Sequence, residues 1–65
     1  MGRPVDQAKR LEIAVAALEV LRERGIGATR MSHVADALGM KRTTLYHYFG
    51  SIPELFEFAL SLIHI

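Results

Sequence analysis

Sixty-five residues make one small domain, and a chain of that size buries only about 60% of its unfolded surface, which leaves little room for an enclosed catalytic pocket. With 51% apolar residues, 23% charged residues and no cysteine, the composition excludes a disulfide framework and cysteine-built zinc sites and fits a reducing compartment. A net charge of +1 does not by itself point to nucleic acid, and no apolar run reaches the roughly eighteen residues that a membrane span needs.

The stretch Met1 to Asp6 has no hydrophobic signal core, and Asp6 stands where a myristoylation motif needs Ser or Thr. A cytoplasmic protein is the expectation. Asp6 is instead placed to cap a first helix, residues 6–24, which Gly25 stops. Its apolar arc is wide: Ile13, Ala17, Val20 and Leu21 form one edge and Leu11, Ala14, Val15 and Leu18 the other. Only the stripe of Glu12, Glu19 and Glu23 is clearly wet, so this helix calls for a partner on each edge.

Gly25 to Thr29 is too short for a strand and its return, so a second helix, residues 31–38, packs back at a steep angle. Thr29 or Arg30 must cap it, and an arginine caps poorly. Gly39 supplies a left-handed turn, and a third helix covers residues 42–49 with Lys41 at its cap position. Val34 and Leu38 share a face, Ala35 is small where another helix must come close, and Leu45 and Tyr48 point inward. Small residue, turn glycine and inward leucine at Ala35, Gly39 and Leu45 have the spacing of a helix-turn-helix.

Ser51-Ile-Pro-Glu54 reads as a capping box with proline in the first turn, opening a fourth helix over residues 52–65. Ile52, Leu55, Phe56, Ala59, Leu60, Leu62 and Ile63 recur at steps of three and four. No glycine or basic last turn ends it, the pattern of a helix that runs on into a further domain. The fold class expected is all-α: a small bundle of three helices, the second and third forming the helix-turn-helix, plus the start of a linking helix.

Charge is unevenly spread. Between residues 24 and 50, Arg24, Arg30, Lys41 and Arg42 face only Asp36, and Arg3, Lys9 and Arg10 add a basic arm. On a recognition helix, residues near the start reach base edges and others grip phosphate. Arg42 suits bidentate contact to guanine, worth about 1–3 kcal/mol of discrimination. Thr43 and Thr44 suit a thymine methyl or a phosphate, or else satisfy amides of the first helical turn. Tyr46 is placed to donate to phosphate, as is Lys41. For Tyr48 the ring packs inward while the hydroxyl reaches out, and His47 either donates to DNA or is an idle surface imidazole. Arg30, Ser32 and His33 open the second helix, where free amides and the helix dipole attract phosphate.

Other chemistries lack their parts. His33 and His47 are on different helices and His64 is in an apolar tail, so no metal chelate and no cofactor are expected. No nucleophile stands beside a base and no glycine-rich phosphate loop exists; Glu54 and Glu57 are explained by capping and the dipole, so no enzyme is expected. The rival reading is a small protein-interaction module docking through its first and fourth helices. It accounts for the apolar C-terminal end but not for the run of Lys41, Arg42, Thr43, Thr44, Tyr46 and His47.

Arg10-Leu-Glu-Ile13, Ala16-Ala17-Leu18, Gly25, Thr29, Val34-Ala35, Leu38-Gly39, Thr44-Leu45-Tyr46, Tyr48-Phe49 and Ser51 together resemble the N-terminal DNA-binding domain of TetR-family transcription regulators, over residues 9–62. Thr44 to Phe49 with Ser51 is the most specific part. The resemblance implies a bacterial or archaeal regulator, most often a repressor. Its fourth helix would link this domain to a larger helical one that binds a small effector and forms the homodimer. It also implies that Arg42, Thr43, Thr44 and His47 lie at or near the bases, and that Tyr46, Tyr48 and the start of the second helix clamp phosphates. Three positions depart from the pattern. Lys41 replaces a serine cap, Arg30 replaces a threonine or serine cap, and Ile52 replaces a lysine that touches the DNA backbone; losing that contact lowers the salt dependence by about 0.9 of a log-log unit.

Overall fold

The structure, a computed structural model, describes residues 4–63; the parts expected of Arg3 in the basic arm and of His64 and Ile65 in the last helix lie outside the described residues. The first helix, α1 (Pro4–Arg24), starts two residues ahead of Asp6. Asp6 is therefore inside the first turn rather than capping it. Proline accounts for the shift: its ring presets a helical φ, and the N–H it lacks is one that a first turn leaves unbonded.

Gly25, at φ 86°, ends α1 and returns its N–H to the Leu21 carbonyl at 2.7 Å. A 3-10 turn (Ile26–Ala28) follows. Thr29 fastens that turn from inside, its buried side chain donating its hydroxyl to the Gly25 carbonyl at 2.7 Å. With Thr29 so engaged, Arg30 becomes the cap residue of α2 (Met31–Leu38).

The end of α2 is a Schellman motif. Met40 N–H reaches the Ala35 carbonyl at 3.0 Å and Gly39 N–H the Asp36 carbonyl at 3.1 Å, with Gly39 at φ 68°, ψ 31°. The Met40 side chain then packs onto the core that contains Ala35. The third helix, α3 (Arg42–Tyr48), stops one residue short of the expected Phe49, which caps it in an extended conformation with its N–H on the Leu45 carbonyl at 3.0 Å. At α4 (Ile52–Ile63) the capping box is displaced by one residue. Ser51 Oγ accepts the Glu54 N–H at 3.4 Å, but the Glu54 carboxylate accepts the Gly50 N–H at 3.2 Å. Gly50 leaves room for it: a Cβ there would lie 3.0 Å from Glu54 Oε1.

Four α-helices and no strand, among the described residues, form an all-α helix-turn-helix bundle. The long α1 packs on both α2 and α4. Ile13, Ala17 and Val20 of α1 meet Met31, Val34 and Ala35 of α2, Leu45 and Phe49 at α3, and Leu55 and Phe56 of α4 in one core. Each large apolar side chain so buried contributes about 1.5–3 kcal/mol against leaving it in water. One edge of α1 is thus covered. On the other edge Ala14 is buried, but Leu11 and Val15 remain 41% and 54% exposed. The two-partner expectation narrows to those two residues, and α4 likewise leaves Leu60 and Ile63 open at 48% and 63%.

Candidate nucleic-acid interface

The attachment of α3 decides what it presents. Leu45 is fully buried and Phe49 nearly so, which fixes the inward side of the helix. At about 100° per residue, Thr43 and His47 then occupy the outermost edge, Arg42 and Tyr46 one flank, and Thr44 and Tyr48 the other. Arg42, Thr43, Thr44, Tyr46 and His47 are all exposed, whereas Tyr48 is half-buried with its side chain against the core. The inward-packed ring expected of Tyr48 is thus observed.

Two clefts border the helix along these flanks. One, of about 410 Å³, is lined by Arg30, Ser32, Arg42, Tyr46 and Ser51 among others, and joins the starts of α2 and α4 to α3. The other, of about 350 Å³, is lined by Arg10, Thr44, His47 and Tyr48. Neither is lined by a carboxylate. Every side chain just named can donate a hydrogen bond, so both clefts suit an anion. Ten residues were singled out in the sequence. The structure gathers Arg30, Ser32, Arg42 and Tyr46 on the first cleft and Thr44, His47 and Tyr48 on the second. His33, Lys41 and Thr43 line neither.

His33 has a task that its sequence position did not disclose. Its Nδ1 accepts the backbone N–H of Arg30 at 3.1 Å, which is the returning half of a capping box. Arginine carries no acceptor, so the forward half, from the Arg30 side chain, does not form. The bond places the imidazole proton on Nε2 and makes that nitrogen the donor available to a ligand. An arginine at the cap is therefore tolerated because the histidine three residues on supplies the missing acceptor. Lys41, at the cap of α3, makes no side-chain cap bond and is exposed.

Arg10, which the sequence placed in a basic arm and in the family pattern without a role of its own, lines the second cleft. Its guanidinium carbon sits 4.9 Å from the Phe49 ring centre and 4.8 Å from that of Phe58. The two rings are 5.4 Å apart and tilted at 46°. Such cation–π contacts are worth about 0.5–2 kcal/mol each, more as water is excluded. No linear spacing betrays this cluster, because its members come from α1, the end of α3 and α4. Lys9 beside it is engaged by Glu12 at 3.1 Å, an exposed pair of little energetic weight.

Among the described residues no group of His, Asp or Glu side chains is placed to hold a metal ion, and no helix is long and apolar enough to cross a membrane.

Comparison with known proteins agrees with this arrangement. A model of the family described as bacterial regulatory proteins, tetR family, matches residues 13–59. The chain is 34% identical over 64 residues to the HTH-type transcriptional regulator PksA of Bacillus subtilis (strain 168), covering 97% of this chain and 31% of that protein. It thus spans about a third of the length of the curated relative it matches. No solved structure matches. With its helix-turn-helix, donor-lined recognition helix and these two matches, the chain belongs to the tetR family of bacterial regulatory proteins, as the DNA-binding domain of a transcription regulator.

Proposed function

We propose that the chain is the operator-reading domain of a ligand-responsive repressor that acts as a homodimer on the nucleoid in a bacterial or archaeal cytoplasm. A larger domain that follows α4 would bind the small effector and hold two copies together. Two α3 helices about 34–36 Å apart would then enter successive major grooves of a palindromic operator. Thr43 and His47 on the outer edge, with Arg42 and Thr44 beside them, would meet the bases. Arg30, Ser32, His33 and Tyr46 would hold phosphates, with Lys41 and Tyr48 adding to the backbone grip.

The observation that carries this reading is the presence of hydrogen-bond donors, an arginine among them, and of no carboxylate in the lining of the cleft on each flank of α3, since a duplex offers phosphate oxygens on both sides of a major groove. The exposed Leu60 and Ile63 favour a second reading, a protein-docking module using α1 and α4. The test is an amide NMR titration of the chain with random-sequence duplex at low and moderate salt. Shifts at Arg30 to His33 and Lys41 to Tyr48 that fade with salt are expected. A folded sample with no shifts there at low salt would sink the assignment. Arg42→Ala separates the two readings, because it should weaken DNA binding and leave any protein partner untouched.

A further inference from the structure

We propose that Arg10 is a DNA phosphate ligand, gripping the strand opposite the one held by Arg30. This rests on the operator-reading function above and adds a contact from α1 to it. An α-helix with its side chains is about 10–12 Å across, close to the roughly 12 Å width of a major groove. A helix seated there is bordered by one phosphodiester strand on each flank. On the flank of Arg42 and Tyr46, the cleft contains Arg30. On the flank of Thr44 and Tyr48, Arg10 is the one permanently charged residue of the lining.

The guanidinium is also prepared for the task. Its carbon lies within 5 Å of the centres of both Phe49 and Phe58, so the side chain is held beside the two rings at the cleft. The guanidinium fork matches two phosphate oxygens at once. Holding it against the rings beforehand reduces the side-chain entropy lost on binding. Thr44 and His47 supply further donors in the same cleft, so a phosphodiester there would be met from α1 and α3 together. Lysine in place of Arg10 would keep the charge and lose the fork.

The experiment measures affinity of the chain for a random-sequence duplex against salt, for wild type, Arg10→Gln and Arg10→Lys. A phosphate contact contributes about 0.9 to the slope of log K against log salt. Arg10→Gln should lower the slope by that amount and weaken low-salt binding several-fold, while Arg10→Lys keeps the slope. The amide shifts of Thr44, His47 and Tyr48 should shrink in Arg10→Gln, and those of Arg30 to His33 should persist. An unchanged slope in a folded Arg10→Gln overturns the proposal even where affinity falls, because a purely structural role changes affinity without changing ion release. Should Arg10→Gln fail to fold, the Arg10 Nε–H resonance of the wild-type chain decides: it must shift on adding duplex and revert with salt, and a static resonance overturns the proposal. Shifts confined to the Arg30 flank overturn this inference alone. No binding by the wild-type chain overturns the operator-reading function with it.

Discussion

Glycine at position 39 sits at φ 68°, where an L side chain strains against its own backbone. Gly39→Ala should cost about 1–2 kcal/mol, measured as a lowered midpoint in urea denaturation; a change below a few tenths would show that the turn relaxes. Nothing lies within 4 Å of a Cβ built there, so the cost comes from conformation alone. Thr29 illustrates the opposite case, a side chain chosen for one bond. Thr29→Val keeps the volume, loses the hydroxyl bond to the Gly25 carbonyl, and should destabilise by about 1 kcal/mol. His33→Ala removes the acceptor for the Arg30 N–H and should cost about 0.5–2 kcal/mol. His33→Gln, whose carbonyl can reach back in the same way, should restore part of it, and equal losses in both would refute the cap.

At the scale of elements, α3 is the most exposed to loss. It is fastened by Leu45 and Phe49, with Tyr48 as a partial third anchor. Leu45→Ala should remove about 2–5 kcal/mol from a domain whose whole stability is of order 3–5 kcal/mol, so the variant should show a midpoint in a circular dichroism melt far below that of the wild-type chain. The elements whose ends rest on local chemistry were legible in the sequence: Gly25 and Gly39 stop their helices, and Ser51 opens α4. What stayed hidden lay between distant segments. The displaced box at Glu54 depends on the space above Gly50, and the Arg10 cluster joins three helices. Pro4 starts α1 two residues early because a proline N–H was never needed, a rule open to the sequence but not used in starting the helix at Asp6. The outward run on α3 was readable as residue types, yet only burial of Leu45 and Phe49 sorted it into an outer edge and two flanks.

For the whole molecule, one reading head makes few contacts, and a second on the same duplex adds an effective concentration of about millimolar when tethered. The 65-residue chain alone should therefore sediment as a monomer or a weak self-associate and bind DNA weakly at physiological salt. Tight operator binding by a monomer would contradict the dimer mechanism. The apolar residues Leu11, Val15, Leu60 and Ile63 are open on α1 and α4; in the dimer proposed above further protein would pack there, and changing them should affect association before it affects the DNA face. The division of α3 into an anchored side and a free side has an evolutionary consequence. Because Thr43 and His47 support nothing in the bundle, their exchange should alter folding by no more than about 0.5 kcal/mol. With these two residues at the bases, as proposed above, a descendant of this domain could acquire a new operator by drift at two positions, without first passing through an unstable ancestor.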